Sequence, residues 1–566
     1  MKYPIDLAHL LRFVQLQHEA AITLECLSKS TLTDQFDSVF LYRVDNPSYR
    51  YDAVAQLSLP TKEQLKVHSG ESKIDDRSAL VRYTHQLYNV LKKGLGDRQT
   101  GVYITCPRSE ALTIAGVPAV QNETVITVGL LFDDKNLDRK TDRGPSPEEK
   151  KKAAAFQKFW GEIAELRRFP DGTIVESVTW QTKGTKSPIY QQIFKYLVNR
   201  HFAVGAVQFS ERPLDHLIHG SRQANLPFGP VLSAYDTFEN DLKALTGLPL
   251  SVRHISPAGS ALRYASVEIP MDSDTKITNP IDVVVQFESS GRWPDDLAAI
   301  QNIKTSFLIK TGELLEEHKG DEIIARVGLE NADNTLMNNS FLDVVYTTGA
   351  AFRLRIHHDR EPSLLGKLIV DPESTPKERD ATMQALAEHR RTFTLRPRHT
   401  GLIRKLCMRY SSLSPTIRLT KKWFHAHMLS TYVPEELIEL LVVRSYLQSF
   451  PWSLPTTVLT GFLRTLQFLS TWDWTAQPLI VDMSEGDLKT PEYEHIQQTF
   501  QNARKTDPAM HSLAMFVATN YDQEDSLWTE RTPSRVVAAR ITSLAKHAVE
   551  TLDSKPCEID ITVSTS

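Results

Sequence analysis

The sequence predicts a multidomain α+β fold in which two α/β regions precede a helical region. A chain of 566 residues is too long for one hydrophobic core, so several domains are expected. Strand-like and helical segments alternate up to about residue 385, whereas apolar residues recur at helical spacing after residue 400. This change of pattern separates the α/β part of the chain from the helical part.

The composition excludes several classes of protein. Hydrophobic residues make up 41% of the chain and charged residues 24%, as in ordinary globular proteins, and the net charge of −4 indicates no class of partner. The four cysteines, at 26, 106, 407 and 557, are far apart, so we expect neither a zinc site nor a disulfide framework. The N-terminal stretch lacks the layout of a signal peptide, and no apolar run reaches the roughly 20 residues of a membrane span. We expect an intracellular protein.

The first α/β region is read from its alternating periodicities. Helices are predicted over 7–29 and 78–95, and strands over 36–44, 101–106 and 125–133. Ser146, Pro147 and Glu149 predict the start of a further helix. Serine is a preferred N-cap, proline suits the first helical position, and a glutamate at N3 can complete a capping box.

The second α/β region and the helical region follow in the same way. Helices are predicted over 234–245 and 295–318, and strands over 249–256, 279–288, 341–348 and 351–358. Thr375, Pro376 and Glu378 predict the start of a connecting helix that runs to about residue 388. Beyond it, helices are predicted over 416–429, 434–449 and 456–474, with short strands over 478–483 and 515–520.

The second α/β region has the element order of a nucleotidyltransferase, with a Gly259-Ser260 turn before the strand that carries Asp282. In such enzymes a small residue lets backbone N–H groups approach the triphosphate. Two carboxylates at i and i+2 on the next strand then hold two divalent ions. Here Pro280 occupies the position of the first carboxylate and has no ligand atom. Asp282 is therefore either the remnant of a metal site or an ordinary acid at a strand end.

A third carboxylate would be expected on a neighbouring strand. The segment AFRLRIHH presents Arg353 and Arg355 instead, and Asp343 on the preceding strand is the nearby alternative. One acid among arginines would bind a pair of catalytic metal ions poorly. We therefore expect no metal ion, no cofactor and no catalytic residue.

A run of 44 residues from His389 to Tyr432 contains no aspartate or glutamate. It is a candidate RNA-binding surface, since basic side chains bind phosphates and aromatic ones (Phe393, Tyr410 and Trp423) can stack on unpaired bases. Alternatively, the run contacts an acidic patch elsewhere in the protein or on a partner, and Trp423 lies in the core. The candidate RNA-binding residues are Arg390, Arg391, Arg396, Arg398, Arg404, Lys405, Arg409, Lys421 and Lys422.

Four segments resemble the Nrap family of nucleolar RNA-associated proteins: FWGEIAELRRFPDGTIVESVTW, GLPLSVRHISPAGSALRY, VVVQFESSGRWPDDLAAIQ and GFLRTLQFLSTWDWTAQPLIVDM. The resemblance implies two tandem modules similar to archaeal CCA-adding enzymes. According to this resemblance, residues 1–35 are the end of a helical poly(A) polymerase/oligoadenylate synthetase-like domain, and residues 36–224 are an α/β domain that closes the first module. Residues 225–385 form a nucleotidyltransferase-like domain, 386–552 a second helical poly(A) polymerase/oligoadenylate synthetase-like domain, and 553–566 begin a truncated C-terminal domain. The N-terminal domain of the family is expected to be missing.

The resemblance also implies the function. Family members are components of the small-subunit processome in the nucleus and nucleolus and are regarded as scaffolds without transferase activity. We expect a non-catalytic scaffold that binds pre-rRNA, an rRNA-processing partner subunit and casein kinase, and no membrane. The alternatives are an active metal-dependent RNA nucleotidyltransferase and a protein-only scaffold.

Overall fold

The computed structural model describes most of the chain. The described residues are 20–28, 48–58, 79–105, 125–181, 187–202, 206–209, 225–271, 279–291, 293–331, 334, 336–337, 339–484, 486, 488–523 and 526–554. The strand predicted over 36–44, most of the helix predicted over 7–29 and the segment 553–566, apart from its first two residues, lie outside these ranges.

The helices and strands are numbered in chain order. The helices are α1 (20–28), α2 (Ala79–Leu95), α3 (Lys150–Trp160), α4 (Ile189–His201), α5 (Asn225–Ala244), α6 (Leu297–Lys319), α7 (Arg360–Val370), α8 (Pro376–His389), α9 (Arg396–Arg409), α10 (Leu413–Ala426), α11 (Glu435–Leu447), α12 (Val458–Thr471), α13 (Thr490–Thr506) and α14 (Arg535–Ser554). The strands are β1 (Ala53–Ser58), β2 (Gln99–Thr105), β3 (Val125–Phe132), β4 (Thr141–Arg143), β5 (Glu165–Arg168), β6 (Ile174–Thr179), β7 (Ala206–Phe209), β8 (Val252–Pro257), β9 (Ile281–Phe287), β10 (Ile323–Glu330), β11 (Asn339–Tyr346), β12 (Ala351–His357), β13 (Leu479–Val481) and β14 (Val517–Thr519). No helix in the described ranges is long and apolar enough to cross a membrane.

The chain divides into two compact units. The first comprises 1–214, 449–463 and 548–566, and contains an antiparallel sheet in the order β2-β3-β1-β7 and a smaller sheet in the order β4-β6-β5. Alternate residues of β1 and β3 point into a core that includes Leu57 and Val128. Helices α2 and α4 cover this face with Leu87 and Phe194, so the amphipathic helices bury their apolar sides on the sheet.

The second unit comprises 215–448 and 464–547 and contains a five-stranded sheet in the order β10-β11-β12-β9-β8. β9 and β12 are parallel and lie side by side, and the other neighbouring strands are antiparallel. Val283 and Val285 of β9 and Leu354 of β12 are buried, as expected for central strands. β10 lies at one edge of the sheet and follows α6 directly.

The two predicted helix starts have different outcomes. Thr375 caps α8 with both hydrogen bonds of a capping box, as predicted. The helix predicted to begin at Ser146 begins instead at Lys150, and the Ser146 hydroxyl accepts a hydrogen bond from the N–H of Glu148 in a turn. That prediction was wrong.

Candidate functional site

The Gly259-Ser260 turn is packed directly onto β9. The N–H groups of Ala258 and Gly259 both donate to the carbonyl oxygen of Asp282, at 3.0 and 2.9 Å. A Cβ atom at Gly259 would lie 2.4 Å from Cγ2 of Ile281, so the turn has room only for glycine. Ser260 begins a short 3₁₀ helix that ends at Arg263. The N–H of Gly259 thus holds the turn against β9, and it is already hydrogen-bonded to the carbonyl oxygen of Asp282.

The start of β9 carries one carboxylate, which is paired with an arginine. Pro280 immediately precedes β9, and Asp282 is the second residue of that strand. Nε of Arg355 donates to Oδ1 of Asp282 at 3.2 Å. Arg353 lies opposite Asp282 in the parallel register of β9 and β12. The structure therefore places Arg353 and Arg355 next to Asp282, as the sequence predicted.

The same two arginines bind two further carboxylates on β10 and β11. Arg353 donates to both carboxylate oxygens of Asp343, at 2.8 and 2.9 Å. Arg353 and Arg355 each donate to Glu330 at 2.9 Å. We call Asp282, Glu330, Asp343, Arg353 and Arg355 the guanidinium–carboxylate cluster. Sequence reasoning missed Glu330 because β10 was not predicted, although its β-branched residues could have indicated a strand.

The guanidinium–carboxylate cluster contains two cations, Arg353 and Arg355, bound to three carboxylates. The hydrogen bond from Arg355 is the largest effect on Glu330 and, with Arg353, lowers the pKa of its carboxyl. A metal ion would have to displace planar guanidinium groups that already bind the carboxylate oxygens, and it would be repelled by their charge. In the described ranges, no group of three or more His, Cys, Asp or Glu side chains could hold a metal ion. These residues do not fit a pair of magnesium ions.

A second group of charges is buried where the 3₁₀ helix meets α9, α10 and α11. Glu439 is fully buried, and its carboxylate accepts hydrogen bonds from Nε of Arg263 at 2.8 Å and Nζ of Lys421 at 2.7 Å. Nε2 of His399 lies 2.7 Å from the same carboxylate. Glu436 lies 3.6 Å from Nη2 of Arg263. We call Arg263, His399, Lys421, Glu436 and Glu439 the buried ion cluster.

The buried ion cluster joins the segment after the Gly259-Ser260 turn to the helices. Burial by itself would raise the pKa of Glu439, but Arg263 and Lys421 outweigh it and hold that pKa well below its ordinary value. Burial lowers the pKa of His399. Glu439 is therefore an anion in the folded protein, and its charge is balanced by cations from two other elements.

The basic run from His389 to Tyr432 is partly neutralised inside the protein. Lys421 is buried, and its ammonium is enclosed by Glu439 and by the carbonyl oxygen of Ala265, at 2.7 and 2.9 Å. Nε of Arg396 donates to Glu436 at 3.0 Å. The enclosed ammonium cannot contact RNA in this conformation, so the expectation for Lys421 is corrected. Its acidic partners come from α11, just beyond the run.

The other candidate RNA-binding residues differ in exposure. Arg391 lies 3.5 Å from Glu388 and 3.9 Å from Glu530, and is partly exposed. Arg404 and Lys422 are also partly exposed, and Arg390 is exposed. The exposed basic residues on α9 are Arg398, Lys405 and Arg409. Their spacing of seven and four residues places them on one side of the helix, and we call them the α9 basic stripe.

Two of the aromatic residues in the run are not available for stacking on bases. Phe393 is buried in a cluster with Ala258 and Val284. Tyr410 is buried, with its ring 5.8 Å from that of Tyr446. The expectation that the rings of Phe393 and Tyr410 contact RNA is corrected, because both are buried in the core. Trp423 is partly exposed.

Three consecutive segments match family models. Residues 47–203 match Nrap protein domain 3, residues 213–408 match Nrap protein nucleotidyltransferase domain 4, and residues 410–565 match Nrap protein PAP/OAS1-like domain 5. The first and second α/β regions and the helical region of the fold thus each correspond to one family domain. The boundaries drawn from the sequence stay a prediction.

Named relatives are similar over most of this chain. U3 small nucleolar RNA-associated protein 22 of Schizosaccharomyces pombe is 34% identical over 91% of this chain and 47% of its own length. Nucleolar protein 6 of Xenopus tropicalis is 30% identical over 96% of this chain and 48% of its own length. The chain therefore spans about half the length of the curated relatives it matches. Among solved structures, terminal uridylyl transferase 4 from Trypanosoma brucei with bound UPU is 13% identical, with a TM-score of 0.31 over 59% of this chain and 97% of that chain. On the three domain matches and the two curated relatives, the chain belongs to the Nrap family.

Proposed function

We propose that this chain acts as a non-catalytic scaffold in the early small-subunit pre-ribosome and binds pre-rRNA and protein partners in the nucleolus. The observation that carries the proposal is the guanidinium–carboxylate cluster, in which Arg353 and Arg355 bind Asp282 and the neighbouring carboxylates of Glu330 and Asp343. The names of the relatives, nucleolar protein 6 and U3 small nucleolar RNA-associated protein 22, support the location and the role in ribosome biogenesis.

The rigid connection between sheet and helices also supports a scaffold. Arg263 follows the Gly259-Ser260 turn and forms salt bridges with Glu439 on α11. Ser414 and Arg418 on α10 donate to the carbonyl oxygens of Tyr264 and Ser266, at 2.6 and 3.0 Å. Contacts of this kind fix one arrangement, which suits a binding surface of constant shape.

The α9 basic stripe is the RNA surface that we propose. Arg398, Lys405 and Arg409 are exposed and lie on one side of α9, so all three can reach successive phosphates of one backbone. Met408, also exposed on this helix, adds an apolar contact. Arg390, Arg404 and Lys422 are candidates at its margin. Following the family resemblance, we further propose an rRNA-processing partner subunit and casein kinase as protein partners.

The RNA proposal is tested by binding to a structured ribosomal-RNA fragment across a salt series. We compare wild type with a variant in which Arg398, Lys405 and Arg409 are changed to alanine. The matched control changes Lys150 and its neighbours Lys151 and Lys152, an exposed triplet on α3, to alanine and removes the same charge. The slope of log affinity against log salt should become shallower by about 2 in the stripe variant and stay unchanged in the control.

If the slope of log affinity against log salt were equal in all three proteins, the α9 basic stripe would not be the RNA-binding surface. If, in addition, an acidic partner protein bound with a salt dependence that the stripe variant lost, the run would serve a protein-only scaffold. The absence of catalysis has its own test, which is incorporation of labelled nucleotide into RNA with Mg²⁺ or Mn²⁺. We expect none. Incorporation that Asp282→Ala abolished would show an active transferase.

A further inference from the structure

In the described part of the chain, the outer edge of β10 has no neighbouring strand and carries exposed apolar side chains, together with the exposed Arg326. β10 spans eight residues and has β11 on one side only in the sheet order. Ile324 is 52% exposed and Leu329 is 51% exposed, and Val327 between them is also exposed. Natural edge strands are usually short, charged or covered, because their free N–H and C=O groups pair with other strands. An exposed edge of this kind indicates a docking surface for a strand.

The direction of the free backbone groups follows from one hydrogen bond. The N–H of Ala325 donates to a carboxylate oxygen of Glu316 on α6 at 2.8 Å, so it points away from β11. Backbone groups alternate in direction along an antiparallel strand, so the N–H groups of Val327 and Leu329 point outward as well. No partner for these two N–H groups is found among the described residues.

The helix beside this edge supplies the charge. Ile309, Glu313 and Glu316 are spaced four and three residues apart, so they form one stripe along α6. Glu316 reaches Ala325, which places the stripe beside the outer edge of β10. All three side chains are exposed. A strand lying along β10 would meet apolar side chains of β10 and α6 together with two carboxylates, of which Glu313 also forms an exposed salt bridge with Lys310 at 3.1 Å.

We propose that the outer edge of β10 binds an extended segment of a partner protein, whose side chains facing α6 alternate between apolar and basic. The apolar residues would cover Val327 and Leu329, and the basic residues would pair with Glu313 and Glu316. The carboxylates of Glu313 and Glu316 disfavour an RNA backbone on the side of this edge that faces α6. They also disfavour a second copy of this chain, because antiparallel pairing of two β10 strands would bring the two Glu316 carboxylates toward each other.

The test uses two synthetic octapeptides with a fluorescent label. In the first peptide every second residue is threonine, and the residues between the threonines alternate between isoleucine and lysine. The second peptide has glutamate at each lysine position. Binding to the full chain is measured by fluorescence anisotropy, and hydrogen exchange of the β10 segment reports whether the outward N–H groups are protected. We expect the lysine peptide to bind at least tenfold more tightly than the glutamate peptide and to protect β10.

Three variants locate the binding on this edge. Val327→Pro removes one outward donor and leaves the bonds to β11 intact, because proline is tolerated where the N–H faces solvent, and it should abolish binding. Glu313→Gln with Glu316→Gln keeps a side-chain acceptor for Ala325 and should weaken binding about tenfold, the size expected for two exposed charge pairs. Glu317→Gln is the control for charge, since position 317 is exposed but lies off the stripe, and it should bind like wild type.

Several results would overturn the proposal. Neither peptide binding at about 1 mM, or both binding equally well, would exclude a basic strand at this edge. Unchanged binding by Val327→Pro would place the peptide elsewhere, provided that circular dichroism shows the variant to be folded. Concentration-dependent dimers in wild type that Val327→Pro abolished would assign the edge to a second copy of the chain.

Discussion

Replacing Glu439 with glutamine would remove the only fully buried anion of the buried ion cluster. Its carboxylate accepts hydrogen bonds from Arg263 and Lys421 and lies 2.7 Å from Nε2 of His399. Glutamine has nearly the same shape, so the substitution changes charge with little change in packing volume. Arg263 would then retain Glu436, at 3.6 Å, as its nearest carboxylate.

The expected cost follows from the cations that remain. Breaking a buried ion pair by removing one partner costs about 3–5 kcal/mol, because the other charge is left without compensation. Lys421 keeps a salt bridge to Glu435 at 2.7 Å, and this limits the loss on its side. Arg263 has no comparable replacement in the described residues, since Glu436 also binds Arg396 at 3.0 Å. We therefore expect Glu439→Gln to lower the local free energy of unfolding by about 3 kcal/mol.

The assay must report on this part of the chain, because a protein with two compact units need not unfold in a single transition. Hydrogen exchange of peptides from α9, α10 and α11 gives local opening free energies. The matched control is Glu435→Gln, which removes another partner of Lys421 from a side chain that is 58% exposed. It should cost less than about 1 kcal/mol. If both variants lost less than about 1 kcal/mol, the buried ion cluster would not stabilise the packing of the 3₁₀ helix against α10 and α11.

Three further predictions concern other parts of the second unit. Burial lowers the pKa of His357 to about 4, so the unfolded chain takes up its proton first. As the pH drops from 6.5 to 4, urea denaturation should find that the free energy of unfolding falls by about 3 kcal/mol less in His357→Gln than in wild type. Changing Arg353 and Arg355 to alanine should remove the guanidinium groups that lower the pKa of the Glu330 carboxyl, so titration followed by NMR should find that pKa higher than in wild type. Gly259→Ala should lower the free energy of unfolding by about 1–3 kcal/mol in the same denaturation assay, because its Cβ would lie 2.4 Å from the side chain of Ile281. The control is Gly366→Ala, which lies in open space on a helix and should be neutral or stabilising.

The two helix starts show how far local sequence decides local structure. Ser146 and Thr375 are each followed by proline and then by glutamate at the third position. At Thr375 all capping bonds are local, and they form as predicted. Before Ser146, Gly144 and Pro145 exchange backbone hydrogen bonds with Glu176 of β6, at 2.7 and 3.1 Å. These contacts to a distant strand direct the chain, and the helix starts later.

The sequence by itself determined the features that depend on residues close together in the chain. Helical and strand periodicity predicted most of the elements, and the position of Pro280 before Asp282 predicted that half of the metal-binding pair is missing. The arginines at 353 and 355 were visible for the same reason, since two residues at i and i+2 of one strand share a face. The family was identified from four long segments of the sequence that resemble it.

Only the tertiary structure decided which charges meet. Arg263 and Glu439 are 176 residues apart, and Arg355 and Glu330 are 25 residues apart on strands that are not neighbours in the sheet. The basic run looked like an open surface because its acidic partners lie outside it, yet folding enclosed Lys421 among them and left the α9 basic stripe exposed. The physical reason is that an ion pair depends on distance and burial in space, and packing of distant elements sets both.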